Sequence, residues 1–329
     1  MSHPTVEALD LNSLAPGVVH RRWLRLVDDA LGLPVRLPLL IARGRKPGPV
    51  LGLTSTVHGD EVNGVAVIHE LFRKLEPTRL AGTVVGLPVT NVPAFHRHAR
   101  RTPHGMDLNH HFPGSPTGND IQVYSHRLLD RVVRHLDLLL DLHTASRGRA
   151  NCLYVRADMQ QPATARMAYL QRPQIILHNP ASDGTLRGAA SDLGVPAITV
   201  EVGNPSRFQR EYIRRSVVGV RAVLAEYRMI KMRPVSLGAP PVVCASSQWL
   251  YTAHGGLLTV HPAVADDVSE GQCIAELVDA FGDPVASYTA PNDGIVIGRA
   301  VDPVAATGAR VIHLGMRAAD DVPYVRRSE

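Results

Sequence analysis

Two kinds of hydrophobic pattern alternate along residues 35–232 of the chain. Short, continuous apolar runs, for example at residues 50–57 and 84–89, are typical of strands that are buried on both faces. Between these runs, apolar residues recur at the spacing of a helix, and residues 61–75 show this most clearly. The alternation predicts βαβ units arranged around a parallel sheet, that is, an α/β fold.

Further elements follow the same pattern. A helix is predicted around residues 121–136, because its apolar residues share one face, and a strand at residues 138–143 follows it. Another predicted strand at residues 196–201 precedes a helix at residues 210–229. Residues 90–119 are polar, rich in Gly and Pro and unusually long for a connection, so we interpret them as a functional loop. Whether this loop closes over a substrate stays open.

The hydrophobic pattern changes near residues 231–238. Beyond this point, short apolar segments are separated by turns that contain Gly, Asn and Asp, which predicts a small all-β domain. The first 20 or so residues show little periodicity, and residues 1–34 are interpreted as an N-terminal arm and lead-in. The predicted organisation is therefore an arm (1–34), an α/β domain (35–233) and a β domain (234–329).

Composition narrows the classes of function. The 329 residues are 45% apolar and 20% charged, as in an ordinary globular protein, and no apolar run is long enough for a membrane helix. Three widely spaced cysteines, Cys152, Cys244 and Cys273, argue against a disulfide framework or a thiolate zinc site. The first residues lack the features of a secretory signal, and no basic run suggests nucleic-acid binding. We therefore expect a cytoplasmic protein that binds neither membranes nor nucleic acid.

Polar residues end or closely follow the predicted strands at His58, Glu61, His143 and Glu201. Because ligands of open α/β sheets collect at the carboxyl ends of the strands, these side chains are expected to meet. Two imidazoles and one carboxylate would bind zinc and leave a position open for water, whose proton Glu201 would take. Each residue alone also fits a structural role: a hydrogen-bonded histidine, a first-turn helix acid at Glu61, or an ion pair at Glu201.

Four motifs occur in order along the chain: Thr-Val-His-Gly-Asp-Glu at 56–61, Asp-Leu-Asn at 107–109 with Phe-Pro-Gly at 112–114, Asp-Leu-His-Thr at 141–144, and Val-Glu-Val-Gly at 200–203. Together they resemble the motifs of the succinylglutamate desuccinylase/aspartoacylase family, within the wider zinc carboxypeptidase superfamily. The resemblance spans about residues 35–316. It implies a zinc carboxypeptidase-like mixed sheet flanked by helices, with a smaller C-terminal all-β domain.

The resemblance also implies a catalytic centre. One zinc ion per chain is expected on His58, Glu61 and His143. Glu201 is then expected to be the general base that activates the attacking water. Arg101, six residues before Asp107, is expected to stabilise the oxyanion of the tetrahedral intermediate together with the metal.

The substrate-binding residues that the resemblance implies include one departure from the family. Asn109 corresponds to an asparagine that orients the substrate, and Arg187 to a substrate-binding arginine, for which a surface role is the alternative. The family has an arginine after Asp-Leu-Asn that binds a substrate carboxylate, whereas this chain has His110. A neutral imidazole cannot form the bidentate contact of a guanidinium. His110 is therefore a candidate to bind a different group, and the substrate does not follow from the family.

The C-terminal region resembles a biotinyl- or lipoyl-carrier barrel. A carrier needs a lysine on a hairpin tip, and no lysine occurs after Lys231, so a carrier role is excluded. The predicted role is a rim or lid over the site. Trp249, Tyr251 and Tyr288 are candidates to reach the substrate, and packing in the β core is the alternative for each.

These features predict a zinc-dependent amidohydrolase, a deacylase that cleaves the amide bond of a small N-acyl amino acid or N-acylated amine. Two alternatives remain, namely a zinc carboxypeptidase that acts on short peptides and a zinc- or ligand-binding protein without catalysis. The expected partner is a small N-acyl substrate, and self-association into a homo-oligomer stays open.

Overall fold

A computed structural model describes residues 3–181, 184–232 and 240–319. Its main element is a 14-stranded mixed sheet, and C-terminal strands form a second, 4-stranded antiparallel sheet. The predicted mixed α/β fold with a C-terminal β region is confirmed. Within the described ranges, no helix is long and apolar enough to cross a membrane.

Strands and helices alternate through the first two thirds of the chain, and the described residues after α6 form strands without helices. In chain order, the strands are β1 (Thr5–Val6), β2 (Val18–Asp28), β3 (Pro34–Arg43), β4 (Lys46–Ser55), β5 (Ala81–Leu87), β6 (Leu138–His143), β7 (Arg149–Asn151), β8 (Leu153–Ala157), β9 (Ile175–His178), β10 (Ala197–Val202), β11 (Val242–Tyr251), β12 (Gly256–Val260), β13 (Asp267–Val268), β14 (Cys273–Val278), β15 (Pro284–Thr289), β16 (Gly294–Ala300), β17 (Val304–Ala305) and β18 (Arg310–Arg317). The helices are α1 (Asn63–Lys74), α2 (Val92–His96), α3 (Asp120–Arg131), α4 (Pro162–Leu170), α5 (Leu186–Asp192) and α6 (Arg210–Glu226). Short 3₁₀ turns lie at Pro77–Arg79, Leu108–His110 and Val133–His135.

The centre of the main sheet is parallel. β5, β4, β6 and β10 lie side by side in that order, and each adjacent pair is parallel. All residues of β6 and β10 are buried. Strands that are covered on both faces need apolar residues at nearly every position, which is why these sequences are continuous rather than alternating.

Helices cover both faces of this central region. α1, α4 and α6 share one apolar core with Leu140 of β6, whereas α3 and α5 share the core on the opposite face with Leu139. Successive side chains of a strand point to opposite faces, so these two adjacent leucines divide between the two cores. The site at the strand ends therefore rests on a sheet that is fixed from both sides.

The predicted helices lie close to the observed ones. α3 begins after Asn119, whose side chain accepts a hydrogen bond from the backbone of Gln122, and the Gln122 side chain accepts one from the backbone of Asn119. This capping box fixes the first turn. The helix predicted at residues 121–136 ends at Arg131 and is followed by a short 3₁₀ turn, and residues 90–119, predicted as a loop, contain α2.

Residues 1–34, which were predicted as an N-terminal arm and lead-in, contain strands in the structure. β2 lies within this range and pairs along its length with β3 in antiparallel register. Only Leu24 and Leu26 of β2 are fully buried, and arginines surround them. Because the buried face is short and the exposed face is charged, the hydrophobic pattern is too weak to predict this strand.

The C-terminal strands divide between the two sheets. β11 pairs in parallel with β9, and β18, β16 and β13 extend the main sheet beyond it. β12, β14, β15 and β17 form the separate antiparallel sheet. The predicted boundary at residues 233 and 234 touches residues outside the described ranges, and the division into domains stays a prediction.

Replacing Leu140 tests the buried centre of the sheet. Leu140 is fully buried, so Leu140→Ala is expected to lower the free energy of unfolding by about 2–5 kcal/mol, through lost apolar burial and a cavity. Leu31 is 83% exposed, and Leu31→Ala serves as the control, with an expected change within about 0.5 kcal/mol. Urea unfolding measures both values, and equal effects would contradict the buried position of Leu140.

Candidate active site

The carboxyl ends of β4, β6 and β10 meet at one edge of the main sheet. In the parallel register, Glu201 of β10 lies opposite His143 of β6. His58 lies in the turn after β4, and Glu61 lies at the end of that turn, just before α1. The structure thus brings together the four residues that were expected to meet because of their positions at or near strand ends.

A compact, buried donor set is formed by His58, Glu61 and His143. The facing Nδ1 atoms of the two imidazoles are 3.2 Å apart. Glu61 Oε1 lies 2.9 Å from Nδ1 of His58, and Glu61 Oε2 lies 3.0 Å from Nδ1 of His143. Each side chain is at most 4% exposed. A small cation between these atoms would contact all three residues, which have the donor chemistry of a metal site.

Two further carboxylates hold the outer nitrogens of the imidazoles. Nε2 of His58 lies 3.0 Å from Oδ1 of Asp107, and Nε2 of His143 lies 2.7 Å from Oδ2 of Asp141. With each Nε2–H donating to its carboxylate, Nδ1 keeps its lone pair and faces the other imidazole. Two lone pairs and a carboxylate then converge, and a bound cation would stabilise this arrangement.

The same carboxylates shift the protonation of the site. Burial alone lowers the pKa of His143, but Asp141 and Glu61 outweigh it and raise the pKa well above its usual value. Burial also lowers the pKa of His58, but Glu61 and Asp107 outweigh this effect and raise the pKa above its usual value. Burial raises the pKa of Glu61, and the imidazoles lower it to a net value below the usual range. The negative potential behind these shifts would also attract a metal cation.

The turn between β4 and α1, which carries the first two donors, packs tightly against α2. A Cβ atom at Gly59 would lie 2.1 Å from the carbonyl carbon of Ala94 and 2.2 Å from the backbone nitrogen of Phe95. The Asn91 side chain donates a hydrogen bond of 3.0 Å to the Val57 carbonyl and joins α2 to the same turn. The close approach of the two backbones explains the glycine inside the His-Gly-Asp-Glu motif.

A cavity of about 280 Å³ lies over the donor set, and Glu201 lines it. The Glu201 carboxylate accepts hydrogen bonds from Asn151 Nδ2 at 3.3 Å and from the Tyr154 hydroxyl at 3.4 Å. Arg156 Nε lies 3.8 Å from Oε1 of Glu201. Burial raises the pKa of Glu201, and Arg156 offsets part of this effect. A raised pKa suits a carboxylate that takes a proton and returns it near neutral pH.

All three predicted substrate-binding residues, Asn109, His110 and Arg187, line the cavity. Oδ1 of Asn109 accepts a hydrogen bond of 2.9 Å from the backbone of Leu186. Arg187 is buried and donates to the carbonyl and the side-chain oxygen of Asn179 at 2.7 and 2.6 Å. Burial lowers the pKa of Arg187 to about 10. His110 remains largely solvent-exposed, with 68% of its side chain accessible.

The structure moves the predicted catalytic arginine by one position. Arg101 is exposed and does not line the described cavity, whereas Arg100 does. Arg100 donates to Glu61 Oε1 at 3.2 Å, to Asp107 Oδ2 at 2.9 Å and to Ser146 Oγ at 2.9 Å. Neighbouring arginines have nearly the same local sequence, and only the path of the backbone decides which one points inward. The predicted place in the cavity is therefore corrected from Arg101 to Arg100, and the catalytic role of an arginine stays a prediction.

The cavity wall also contains residues that no motif predicted, and Arg149, Tyr154, Arg156 and Arg310 are among them. They lie on β7, β8 and β18, which are distant in sequence or separated by turns. Tyr154 and Arg156 are two positions apart on β8 and therefore point to the same face. That spacing is visible in the sequence, but nothing local shows that this face borders the site.

One of the three aromatic candidates from the C-terminal region lines the cavity. Trp249 is part of the wall, whereas Tyr251 and Tyr288 are not among its described lining residues. The Tyr288 hydroxyl instead accepts a hydrogen bond of 3.1 Å from the backbone of Ala253. The C-terminal strands thus contribute directly to the site.

The chain is similar in sequence to a known protein family and to one curated relative. Residues 47–227, more than half of the chain, match the family model of the succinylglutamate desuccinylase/aspartoacylase catalytic domain. The chain is 26% identical over 305 residues to the N-alpha-acetyl-L-2,4-diaminobutyric acid deacetylase of Halomonas elongata, with 87% of each protein covered.

Solved structures show the same fold. The product-bound ectoine utilization protein EutE (DoeB) from Ruegeria pomeroyi superposes with a TM-score of 0.83 at 21% identity, over 93% of this chain and 100% of that chain. A succinylglutamate desuccinylase/aspartoacylase from Rhodobacter sphaeroides superposes with a TM-score of 0.81 at 24% identity. The superposition covers 91% of this chain and 96% of that chain. At these identities, the likeness establishes the fold.

Adding a methyl group at Gly59 tests whether the tight turn positions the metal donors. Gly59→Ala is expected to weaken metal affinity about 10- to 100-fold, the range for changes that disturb the orientation of ligands. Competition with a chelator measures this affinity. Gly255→Ala is the control, because its nearest contact would be an ordinary 3.4 Å. Wild-type affinity in Gly59→Ala would show that the turn tolerates the shift.

Proposed function

Because the chain belongs to the succinylglutamate desuccinylase/aspartoacylase family, we propose that it is a zinc-dependent amidohydrolase that removes the acyl group from a small N-acylated amino acid or amine. The observation that carries this proposal is the buried set of His58, Glu61 and His143 under a cavity that Glu201 also lines. The relative from H. elongata is named as a deacetylase, which supports hydrolysis of a linear amide.

The residues present fit zinc. Two imidazoles and one carboxylate are a donor set that catalytic zinc sites use, and each imidazole is oriented by an outer carboxylate. His58, Glu61 and His143 would hold the ion. When bound, zinc would supply Lewis-acid activation of water and of the acyl carbonyl.

We assign the proton transfers to Glu201. Its carboxylate would take a proton from the attacking water and return it to the departing amine, for which its raised pKa is suited. Tyr154 and Asn151 donate hydrogen bonds to the same carboxylate and would keep it oriented between the two steps.

We assign stabilisation of the developing oxyanion to Arg100. Its guanidinium is held by Asp107 and Glu61, so it is already ordered before substrate binds. A donor that is fixed in this way stabilises charge in the transition state without reorganisation. Asn109, whose oxygen is held by the backbone of Leu186, would orient the substrate with its remaining amide donors.

Replacing the general base and a metal ligand separates chemistry from metal binding. Glu201→Gln is expected to lower kcat for amine release from N-acyl amino acids about 100- to 10,000-fold, because proton transfer is lost. Zinc content should remain at one ion per chain. His58→Ala is expected to lose both zinc and turnover.

The matched control is Glu211→Gln, an exposed carboxylate in the first turn of α6. It should retain zinc and turnover. Near-normal turnover in Glu201→Gln would overturn the assigned role. Release of amino acids from short peptides but not from N-acyl amino acids would favour a carboxypeptidase, and zinc binding without any turnover would favour a binding protein.

A comparison of two adjacent arginines tests the corrected assignment. Arg100→Gln is expected to lower kcat about 100- to 1,000-fold, the range for loss of an oxyanion donor. Arg101→Gln should leave kcat nearly unchanged, because Arg101 is exposed and outside the cavity. Steady-state kinetics on the same N-acyl substrate measures both. A larger loss in Arg101→Gln than in Arg100→Gln would restore the sequence-based assignment.

A further inference from the structure

Three side chains that can bind a metal lie together on the exposed side of the C-terminal antiparallel sheet. His261 directly follows β12, and Cys273 and Glu276 lie on β14. One ligand atom of each residue lies within 4.8 Å of the other two. Nε2 of His261 lies 3.5 Å from Oε2 of Glu276. None of the three lines the described cavity of the candidate active site, so this group is a separate feature of the molecule.

A β-bulge in β14 brings two of these side chains to the same side. In a regular strand, residues three positions apart point to opposite faces. The pairing of β14 with β15 shifts register between Cys273 and Ala275, which marks the bulge. As a result, the adjacent residues Ile274 and Ala275 are both buried, whereas Cys273 and Glu276 are both exposed. Bulges redirect side chains in this way, and here the bulge places a thiol near a carboxylate.

The backbone also fixes the position of the third side chain. The backbone nitrogen of His261 donates a hydrogen bond of 2.9 Å to the carbonyl of Ile274. This contact extends the ladder of β12 and β14 by one residue beyond the pair Val260 and Ala275. The backbones that carry the three donors are therefore joined, and rotation of exposed side chains is enough to bring the donors around an ion.

The three donors match a borderline-soft cation. A thiolate, an imidazole and a carboxylate each bind zinc at about 2.0–2.3 Å, and three protein donors leave a fourth position to water. The thiolate favours zinc or cobalt over magnesium and calcium, which prefer oxygen donors. An ion pair of His261 with Glu276 is the alternative interpretation. Exposed ion pairs contribute little stability, and such a pair gives no role to the thiol of Cys273.

We propose that His261, Cys273 and Glu276 form a second metal site, which binds a divalent cation of the zinc and cobalt class. Because the three residues are exposed, the ion would exchange with solvent and leave on desalting. The ion expected in the candidate active site is held by buried residues and would remain, so the expected count of one ion per chain after desalting is unchanged. The proposal does not depend on the proposed function, because it involves neither the cavity nor turnover.

Cobalt(II) absorption tests the site directly. The reduced, zinc-loaded protein is desalted, so that zinc occupies the candidate active site, and is then titrated with cobalt. A cobalt–thiolate bond gives a charge-transfer band in the ultraviolet. The donor set of the candidate active site contains no sulfur and cannot give this band. The band is expected to saturate at one cobalt per chain and to be absent in Cys273→Ser.

Two further variants test whether the imidazole and the carboxylate are ligands. His261→Gln and Glu276→Gln are each expected to weaken cobalt affinity at least about tenfold, because losing a ligand costs no less than disturbing its orientation. The matched controls are His254→Gln and Glu270→Gln. Both residues are exposed, lie near the site in sequence and are outside the donor group. They should retain the wild-type affinity.

The reactivity of the thiol gives a second readout with zinc itself. Cys273 is exposed, whereas Cys152 and Cys244 are buried, so an aromatic disulfide reagent reports on Cys273 in the folded protein. Added zinc is expected to slow this reaction about tenfold or more, because a coordinated thiolate is no longer a free nucleophile. The ratio of rates without and with zinc is compared within each variant, and it should fall toward one in His261→Gln and Glu276→Gln.

The proposal is overturned if no charge-transfer band appears, if the band persists in Cys273→Ser, or if zinc leaves the thiol reaction unchanged. It is also overturned if either His261→Gln or Glu276→Gln binds cobalt as tightly as the wild type. Saturation at half an equivalent with formation of a dimer on gel filtration would mean that Cys273 of two copies shares one ion, which would overturn it as well. Saturation at one equivalent that depends on all three residues would support the site.

Discussion

The parallel register of β4, β6 and β10 is the constraint on which the candidate site depends. It sets Glu201 opposite His143 and Thr54 opposite Asp141. The Thr54 hydroxyl donates a hydrogen bond of 2.7 Å to Asp141, which in turn holds the outer nitrogen of His143. A slip of one residue would turn these side chains to the opposite face of the sheet. Strand pairing therefore positions the candidate metal donors and the carboxylates behind them.

Charge compensation shapes the rest of the site. Buried carboxylates are costly unless they are paired, and Asp107 and Asp141 are paired with the imidazoles that they orient. Glu61 faces both imidazoles and Arg100. The floor of the cavity is thus rich in carboxylates and suited to a metal cation. The wall around it is rich in arginine, and both features belong to the same cavity.

Site residues that lie in a local sequence motif could be predicted from the sequence. Site residues whose position depends on how the backbone folds could not. His58, Glu61, His143 and Glu201 follow strand signals that are local, so their convergence could be inferred from the α/β pattern. The position of Arg100 rather than Arg101 in the cavity wall could not be predicted, because a sequence does not show which of two adjacent side chains turns inward. The strand β2 was missed for a related reason, since its buried face is short.

By itself, the sequence determined the central α/β pattern, the family resemblance and the candidate metal donors. Local hydrophobic periodicity and closely spaced motifs carry that information, because both depend on residues that are near one another in the chain. Only the tertiary structure decided which residues form the cavity wall. Arg149, Trp249 and Arg310 lie on three strands far apart in sequence, and the main sheet brings them together by pairing β7 with β16 and β11 with β18. Such contacts depend on long-range strand order, which no local pattern specifies.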